Sequence, residues 1–182
     1  MVETPARIEV RLRELAQLFN SMDPSPFHER DLDADAEEFI MSWAREHQTH
    51  RELELVIHLA VIPPGDRSND TGDAVRHYFA ARAELKHREF RQLMRQGRFN
   101  LGVGLGFLAC CLAAGALAGG IINAQGWRTS AEIVKESFTI GGWVAMWRPL
   151  EIYLYDWWPL RDEWRLLERL ARMKVTLLMP VA

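Results

Sequence analysis

The feature that most limits the possible folds is a long stretch without a charged side chain, between Arg98 and Arg128. Its core, residues 99–122, reads FNLGVGLGFLACCLAAGALAGGII. A helix of about 20 mostly apolar residues is long enough to cross the hydrocarbon core of a bilayer. A chain of 182 residues offers little protein with which to enclose such a helix on every side. The stretch therefore predicts a membrane-spanning helix.

Small residues recur along this helix at intervals of four. Gly102 and Gly106 define one face, and Gly115 and Gly119 define a second. Small side chains at this spacing allow two helix backbones to approach closely in lipid. We predict that these faces pack against another helix, which belongs to the same chain, to a second copy or to a protein partner. The adjacent Cys110 and Cys111 fit the same role of small packing residues.

A second candidate span carries charges. The segment GGWVAMWRPLEIYLYDWWPL, residues 141–160, has Arg148, Pro149 and Glu151 near its middle. A crossing would run from about 138 to 158, and a lone charge in lipid costs about 2.5–3.5 kcal/mol on insertion scales. Arg148 and Glu151 are three residues apart, so one helical face can hold both. We predict an intramembrane ion pair that faces protein, in a helix kinked at the proline.

The alternative ends this helix near Arg148, and Pro149 then begins a second helix that lies at the membrane surface. The distribution of basic residues favours two crossings instead. Basic side chains precede the first span and follow the second, whereas the connection 123–137 has two basic and two acidic residues. Cytoplasmic loops carry the excess of lysine and arginine in membrane proteins. Both termini are therefore predicted to be cytoplasmic.

Charge is segregated along the chain. Residues 1–73 hold 7 basic and 16 acidic side chains, and residues 74–98 hold 7 basic and 2 acidic ones. Each basic residue beside an anionic leaflet contributes about 1 kcal/mol of attraction. We predict a bilayer with anionic headgroups as the partner, and no nucleic acid, because the acidic segment adjoins the basic one. The predicted headgroup residues are Arg88, Arg91, Arg95, Arg98, Arg161 and Arg165.

The rest of the chain predicts a small cytoplasmic α/β domain of two or three strands. Strand patterns occur in RIEVRL, in LELVIHLAVI at 53–62 and in the C-terminal MKVTLLMPVA. One helix is predicted at 34–47, capped by Asp33 or Asp35. A second is predicted at 74–98 and runs directly into the first span, with Gly97 as a bend. The apolar face of the first helix is predicted to comprise Phe39, Ile40, Trp43 and Ala44.

These elements define the predicted organisation. The fold class is an α+β membrane protein in which a small α/β domain carries a two-helix transmembrane hairpin. The acidic α/β domain covers 1–73 and the basic juxtamembrane helix covers 74–98. The hairpin covers 99–160, with spans at about 99–122 and 138–158. An amphipathic helix and a further strand cover 161–182.

No sequence pattern points to catalysis. The loop FHERD brings His28, Glu29 and Asp31 close together, but no nucleophile or second histidine lies at ligand spacing. The run DLDADAEE lacks the glycine and the final acidic residue of a calcium-binding loop. We predict no metal, no cofactor and no catalytic residue. An enzyme with a site in the 27–35 loop is the least favoured hypothesis.

Two segments, LFNSMDPSPFHERDLDADAEEFI and GGWVAMWRPLEIYLYDWWPL, resemble parts of small bacterial membrane proteins with two spans and no assigned activity. The resemblance covers most of the chain. It implies a bacterial inner-membrane protein and assigns no catalytic residue. The functional hypothesis is an accessory or regulatory protein with a small cytoplasmic interaction domain. The alternative is a small oligomeric channel or transporter that uses Arg148 and Glu151.

Overall fold

The structure, a computed structural model, describes residues 6–24, 26, 30–47, 52–61 and 68–179. They form two compact units. One contains the residues up to His87 together with those from Asp162 onward, and the other is Arg88–Arg161. The elements are β1 (Ala6–Leu12), a 3-10 turn (Leu15–Leu18), α1 (Ala34–Glu46), β2 (Leu53–Leu59), α2 (Ser68–Ala124), α3 (Arg128–Glu151), a π segment (Ile152–Asp156), α4 (Trp157–Ala171) and β3 (Lys174–Leu178).

The first unit is built on a parallel sheet in the order β1-β2-β3. Ile8 is opposite Leu55 in the register of β1 and β2, and Leu55 is opposite Val175 in that of β2 and β3. Parallel neighbours require crossover connections, and α1 supplies the one between β1 and β2. All three predicted strands are confirmed. The 53–62 run ends as a strand at Leu59, and Ile62 lies outside the described residues.

One face of the sheet holds the core of this unit. Ile8, Leu55 and Ile57 are fully buried there. The alternation of RIEVRL predicts this arrangement, since Arg7 and Glu9 on the other face are exposed. The helical residues that complete the core are Ile40, Met41 and Ala44 from α1, Ala74, Val75, Phe79 and Ala83 from α2, and Leu166, Leu167 and Leu170 from α4.

Helix α1 begins where the sequence predicts, but it presents a different face to the core. Asp33 is its N-cap, and its carboxylate accepts the backbone N–H of Asp35 at 3.0 Å. Phe39 and Trp43, predicted to be core residues, are 41% and 43% exposed. The core instead takes the stripe of Ile40, Met41 and Ala44, so the two aromatic rings lie on the flank of the helix. There they contact each other with centroids 6.1 Å apart.

Helix α2 is continuous from Ser68 to Ala124, which confirms that the basic helix runs into the apolar stretch. The helix is not interrupted at Gly97, so the possible bend there stays a prediction. This glycine admits a close neighbour, because a Cβ there would lie 2.9 Å from Cγ2 of Ile152. The absence of a side chain at Gly97 therefore allows Ile152 to pack closely against α2.

Helix α3 continues through Pro149 and leads into the π segment, so the alternative of a helix break at this proline is wrong. The backbone N–H of Ile152 donates to the carbonyls of Arg148 and Pro149. In a π turn, backbone N–H groups bond to carbonyls five residues earlier, so the helix is locally wider than a regular α-helix. Pro149 and Ile152 are fully buried, which holds this irregular turn in place.

Within the second unit, α2 and α3 contact each other through small residues. Gly104 lies against Met146 and the carbonyl of Ala145, and Gly142 lies against Leu108 and Cys111. The carbonyl of Ala145 is the one that Pro149, four residues later, leaves without its usual helical donor. Pairs along the contact are Gly97 with Ile152, Gly104 with Met146, Cys111 with Gly142, Gly115 with Phe138 and Gly119 with Ala131, so the two helices run in opposite directions.

Most positions of the contact follow a repeat of alternating three- and four-residue steps, and the buried Gly119 is an additional contact. This repeat is the heptad spacing of helices that pack at a shallow crossing angle. On α2 the least exposed positions include Gly97, Leu101, Gly104, Leu108, Cys111, Gly115, Ala118 and Ile122. The repeat therefore describes a seam that combines glycines with larger side chains.

Candidate functional site

The predicted ion pair of α3 is part of a three-residue cluster. Nη1 of Arg148 lies 2.8 Å from a carboxylate oxygen of Glu151 and 3.2 Å from one of Asp156. The guanidinium thus lies between two carboxylates. The chain leaves 55% of the Arg148 side chain and 42% of the Glu151 side chain exposed, and the expectation that both face protein in a membrane stays a prediction.

Sequence reasoning missed Asp156 because it assumed a regular α-helix. Residues eight apart in an α-helix do not share a turn, and their Cα atoms rise by about 12 Å along the axis. The π segment between Arg148 and Asp156 changes the rotation between them. No α-helical spacing rule reveals this partner.

A hydrogen bond and a ring contact follow the π segment. The indole N–H of Trp157 donates to the carbonyl of Tyr153 at 2.8 Å. Side chains often satisfy backbone groups that an irregular turn leaves without a partner. The guanidinium of Arg161, a predicted headgroup residue, lies over the Trp157 ring at 5.2 Å from its centroid. Arg161 is thus held against an aromatic surface.

The basic residues before the apolar stretch separate into two groups. Arg82 and Lys86 form ion pairs inside the first unit, with Glu37 at 2.8 Å and Glu163 at 3.2 Å. Arg88, Arg91 and Arg95 lie with Gln92, Gln96 and Phe99 along one exposed face of α2, where they border an open space of about 780 Å³. Arg98 does not line it, and Arg165 belongs to α4 of the other unit.

The four predicted packing glycines have different surroundings. Gly115 and Gly119 lie against the backbone of α3 at Lys135 and Ala131. A Cβ built at Gly102 or Gly106 would have no described neighbour within 4 Å, so the packing role of these two glycines stays a prediction. The sequence did not single out Gly104 or Gly142, although both make close contacts in the structure.

The sheet of the first unit contains a buried carboxylate. Glu54 in the central strand is 7% exposed, and it contacts one cation on each neighbouring strand. Arg7 donates to it at 3.1 Å, and Lys174 lies 3.3 Å away. Burial acts to raise the pKa of Glu54, but Lys174, Arg7 and the hydroxyl of Thr176 outweigh it and hold that pKa below its ordinary value of 4.5. The ion pairs of Glu54 with Arg7 and Lys174 therefore connect all three strands.

We expect Glu54→Gln to lower stability at neutral pH by about 1 kcal/mol, because it leaves two cations without their shared anion. The lowered pKa means that this stabilisation is present above pH 4.5, the ordinary value, and is lost as pH falls through the pKa of the folded state. Thermal unfolding of the purified full chain should therefore show a gap between wild type and variant that narrows in acid. Glu46→Gln, at an exposed position of α1, is the control. A gap independent of pH would contradict this account.

A second, partly buried contact joins α1 to α2. The hydroxyl of Tyr78 donates to Glu37 at 2.6 Å, and Arg82 pairs with the other oxygen of the same carboxylate. Burial, together with the adjacent Glu37 carboxylate, raises the pKa of Tyr78 far above its ordinary value. Because a tyrosine in this state donates and does not ionise near neutral pH, the contact serves to join the helices.

Of the three candidates in the FHERD loop, Asp31 is among the described residues, and the hypothesis of a site in the 27–35 loop stays a prediction. His28 and Glu29 lie outside the described residues, and Asp31 donates its backbone N–H to Asp23 at 2.7 Å. A cleft of about 480 Å³ between α2 and α4 is lined by Ala83, Glu84, His87, Trp164, Glu168 and Arg172, among others. Among the described residues, no group of three His, Cys, Asp or Glu side chains is arranged to hold a metal ion.

Comparison with known proteins gives no match: no family model, no curated protein and no solved structure is similar to this chain. The functional assignment therefore depends on the chain's own geometry.

Proposed function

We propose that this protein is a membrane-anchored accessory or regulatory protein whose α/β unit is held on the cytoplasmic side of a bacterial inner membrane. The anchor is the helical unit Arg88–Arg161. In the part of the chain that the structure describes, one helix is long and apolar enough to cross a membrane, and it lies within α2. This helix supports membrane association by its length and composition.

Exposure of the apolar part of α2 supports the membrane assignment. Only 11% of its most apolar window is buried by the rest of the chain. Phe99 is 71% exposed, Leu117 is 70% exposed and Ile121 is 65% exposed. A core helix of a soluble protein has the opposite distribution, because its apolar side chains are covered. Insertion of α2 into a lipid bilayer would remove this apolar surface from contact with water.

The observation that carries the proposal is the pairing of β2 with β3. These strands precede and follow the helical unit in the sequence, yet they are neighbours in one sheet. Both ends of the helical unit must therefore lie on the same side of any membrane. If α2 crosses, the chain must cross back before β3, and α3 is the helix that follows. The sheet thus favours two crossings independently of the positions of basic residues.

The register of α3 against α2 refines the predicted second span. Gly142 lies beside Leu108 and Cys111, near the middle of the stretch 99–122. The centre of the crossing would then be near Gly142, whereas a span of 138–158 is centred on Arg148. Six residues of helix correspond to about 9 Å. The Arg148 cluster would accordingly lie towards the cytoplasmic end of the crossing, where water and headgroups reduce the cost of its charges.

The uncharged part of α3 is too short to span the hydrocarbon by itself, and this leaves the channel hypothesis as an alternative. It covers residues 137–147, or about 16 Å of helix, against about 30 Å of hydrocarbon. Lys135 and Glu136 bound it at the other end. Lysine can extend to the interface, and bilayers thin locally around short spans. The alternative is that several copies of the chain associate and cover the Arg148 cluster with protein. Such an oligomer could line a polar path with these charges, as the channel hypothesis requires.

Sided labelling of single cysteines tests the proposal. One cysteine replaces Gln125 in the connection between α2 and α3, and others replace Glu38 in α1 and Asp162 in α4, all at exposed positions. We expect the first to react from the periplasmic side, and the other two only from the cytoplasm.

A further inference from the structure

The sheet of the first unit has two edges that are open to another strand. Strands β1 and β3 lie at these edges, and no other described strand pairs with the outer side of either one. An edge strand presents backbone N–H and C=O groups that its own sheet does not satisfy, so it can pair with a strand of another chain. Proteins commonly discourage such pairing with charged side chains along the edge. The two edges of this sheet differ in that protection.

The β1 edge is charged along its length, and the β3 edge is not. Arg7, Glu9 and Arg11 occupy alternate positions of β1, and all three are exposed. In β3 the charge is confined to Lys174, the first residue of the strand. The residues that follow, 175–179, carry no charge. The β3 edge is therefore the one that accepts another strand more readily.

Apolar side chains at the β3 edge remain partly uncovered. Val175 and Leu177 pack against the core of the first unit but are only half-buried. Leu178 is 44% exposed, and Met179, directly after the strand, is 38% exposed. A strand added at this edge would bury apolar surface in addition to forming backbone hydrogen bonds. Both contributions favour association at β3.

We propose that β3 pairs with β3 of a second copy of this chain, in an antiparallel arrangement centred on Thr176. The two three-stranded sheets then form one continuous sheet across a twofold axis, which is the commonest symmetry of homodimers. This register joins all five residues of β3, whereas a pair centred on Val175 or Leu177 would join only three. The interaction does not depend on the membrane location proposed above.

The sequence of β3 is complementary to itself in this register. Thr176 lies opposite Thr176 of the second copy, a pair that favours strand association. Val175 lies opposite Leu177 on the core face, so the apolar cores of the two sheets become continuous. Lys174 lies opposite Leu178, where the aliphatic stem of the lysine can cover the leucine. No like charges are opposed, so a second copy fits this edge along its whole length.

Disulfide cross-linking of the full-length protein tests the arrangement, after Cys110 and Cys111 are replaced with alanine. Glu9 and Thr176 belong to one row across the sheet and lie at its opposite edges, so they are a matched pair. We expect Thr176→Cys to form a covalent dimer under mild oxidation in detergent. Residues directly opposite each other have Cβ atoms about 4.5–5.5 Å apart, which is close to disulfide distances. Glu9→Cys should stay monomeric on the same denaturing gel.

Charge changes at Leu178 test the register. Leu178→Glu places a carboxylate opposite Lys174 of the second copy, and Leu178→Lys places two ammonium groups together, in each case twice per dimer. Relative to Leu178→Gln, we expect the dimer dissociation constant to fall roughly fivefold for Leu178→Glu and to rise roughly fivefold for Leu178→Lys. Size-exclusion chromatography with light scattering, over a dilution series in one detergent, measures these constants.

The proposal is overturned if wild type is monomeric at every concentration, or if Thr176→Cys gives no more covalent dimer than Glu9→Cys. It is also overturned if the glutamate and lysine variants at Leu178 shift the dissociation constant in the same direction or not at all. Cross-linking of Thr176→Cys to a different protein in the crude extract would contradict it as well, and would indicate a partner's strand at this edge. Sided labelling judges the membrane location separately, because it does not depend on dimer formation.

Discussion

Replacing Arg148 with leucine is expected to destabilise the protein in a bilayer more than replacing either of its carboxylate partners. The change leaves Glu151 and Asp156 both without a cation, and unpaired carboxylates are costly even near the end of a membrane span. Glu151→Leu should cost less, because Asp156, 3.2 Å from Arg148, still pairs with it. Replacing all three residues with leucine should restore much of the stability. Thermal unfolding of each variant in lipid nanodiscs measures this order of stabilities.

The control is Arg128→Leu, which makes the same change at the exposed first residue of α3 and should have little effect. Equal, small losses at Arg148 and Arg128 would mean that the cluster is in water, where such pairs contribute about 0–1 kcal/mol. A channel predicts a different result. The Arg148 and Glu151 variants would then be normally stable but would change ion conductance in liposomes.

The second large effect is expected at Gly142. A Cβ at this position would lie 2.7 Å from Cδ1 of Leu108 and 3.2 Å from Cβ of Cys111. Gly142→Leu must therefore push α2 and α3 apart, and overpacking of this kind costs about 1–3 kcal/mol. We expect a lower thermal unfolding midpoint for the full-length protein in detergent, and a similar loss for Gly104→Leu at the next contact.

The neighbouring Gly141 provides the matched control. No described atom lies within 4 Å of a Cβ built at Gly141, so Gly141→Leu should leave the unfolding midpoint nearly unchanged. Gly102 and Gly106 are the corresponding controls for Gly104. If Gly141→Leu destabilised the protein as much as Gly142→Leu, the seam between α2 and α3 would not be the one described. An effect at Gly102 or Gly106 alone would indicate contact with a second copy.

Local patterns were sufficient to predict most of the first unit. The alternation around Ile8 and the apolar run from Leu53 predict strands because side chains in a strand alternate between two faces. Asp33 was recognised as a cap because its carboxylate can accept a backbone N–H of the first helical turn. The burial of Glu54 was missed, since an acidic residue on the polar face of a strand is normally solvated. Its cations come from strands that are distant in sequence.

Contacts that depend on how two helices meet could not be predicted in the same way. Spacing alone makes the Gly102 face and the Gly115 face equivalent, and only the register with α3 distinguishes them. The flank position of Phe39 and Trp43 has a similar cause, because α1 offers more apolar surface than the core can cover. Asp156 was missed for a local reason, since the π turn after Pro149 breaks the rotation on which helical spacing rules depend.

Sided cysteine labelling in intact and permeabilised cells tests the central claim most directly. The native Cys110 and Cys111 are first replaced with alanine, and a membrane-impermeant maleimide is then applied to single cysteines at 38, 125 and 162. The account predicts that Gln125→Cys reacts in intact cells, whereas Glu38→Cys and Asp162→Cys react only after permeabilisation. Equal reactivity of all three positions in intact cells, or of none of them, would contradict two crossings between β2 and β3.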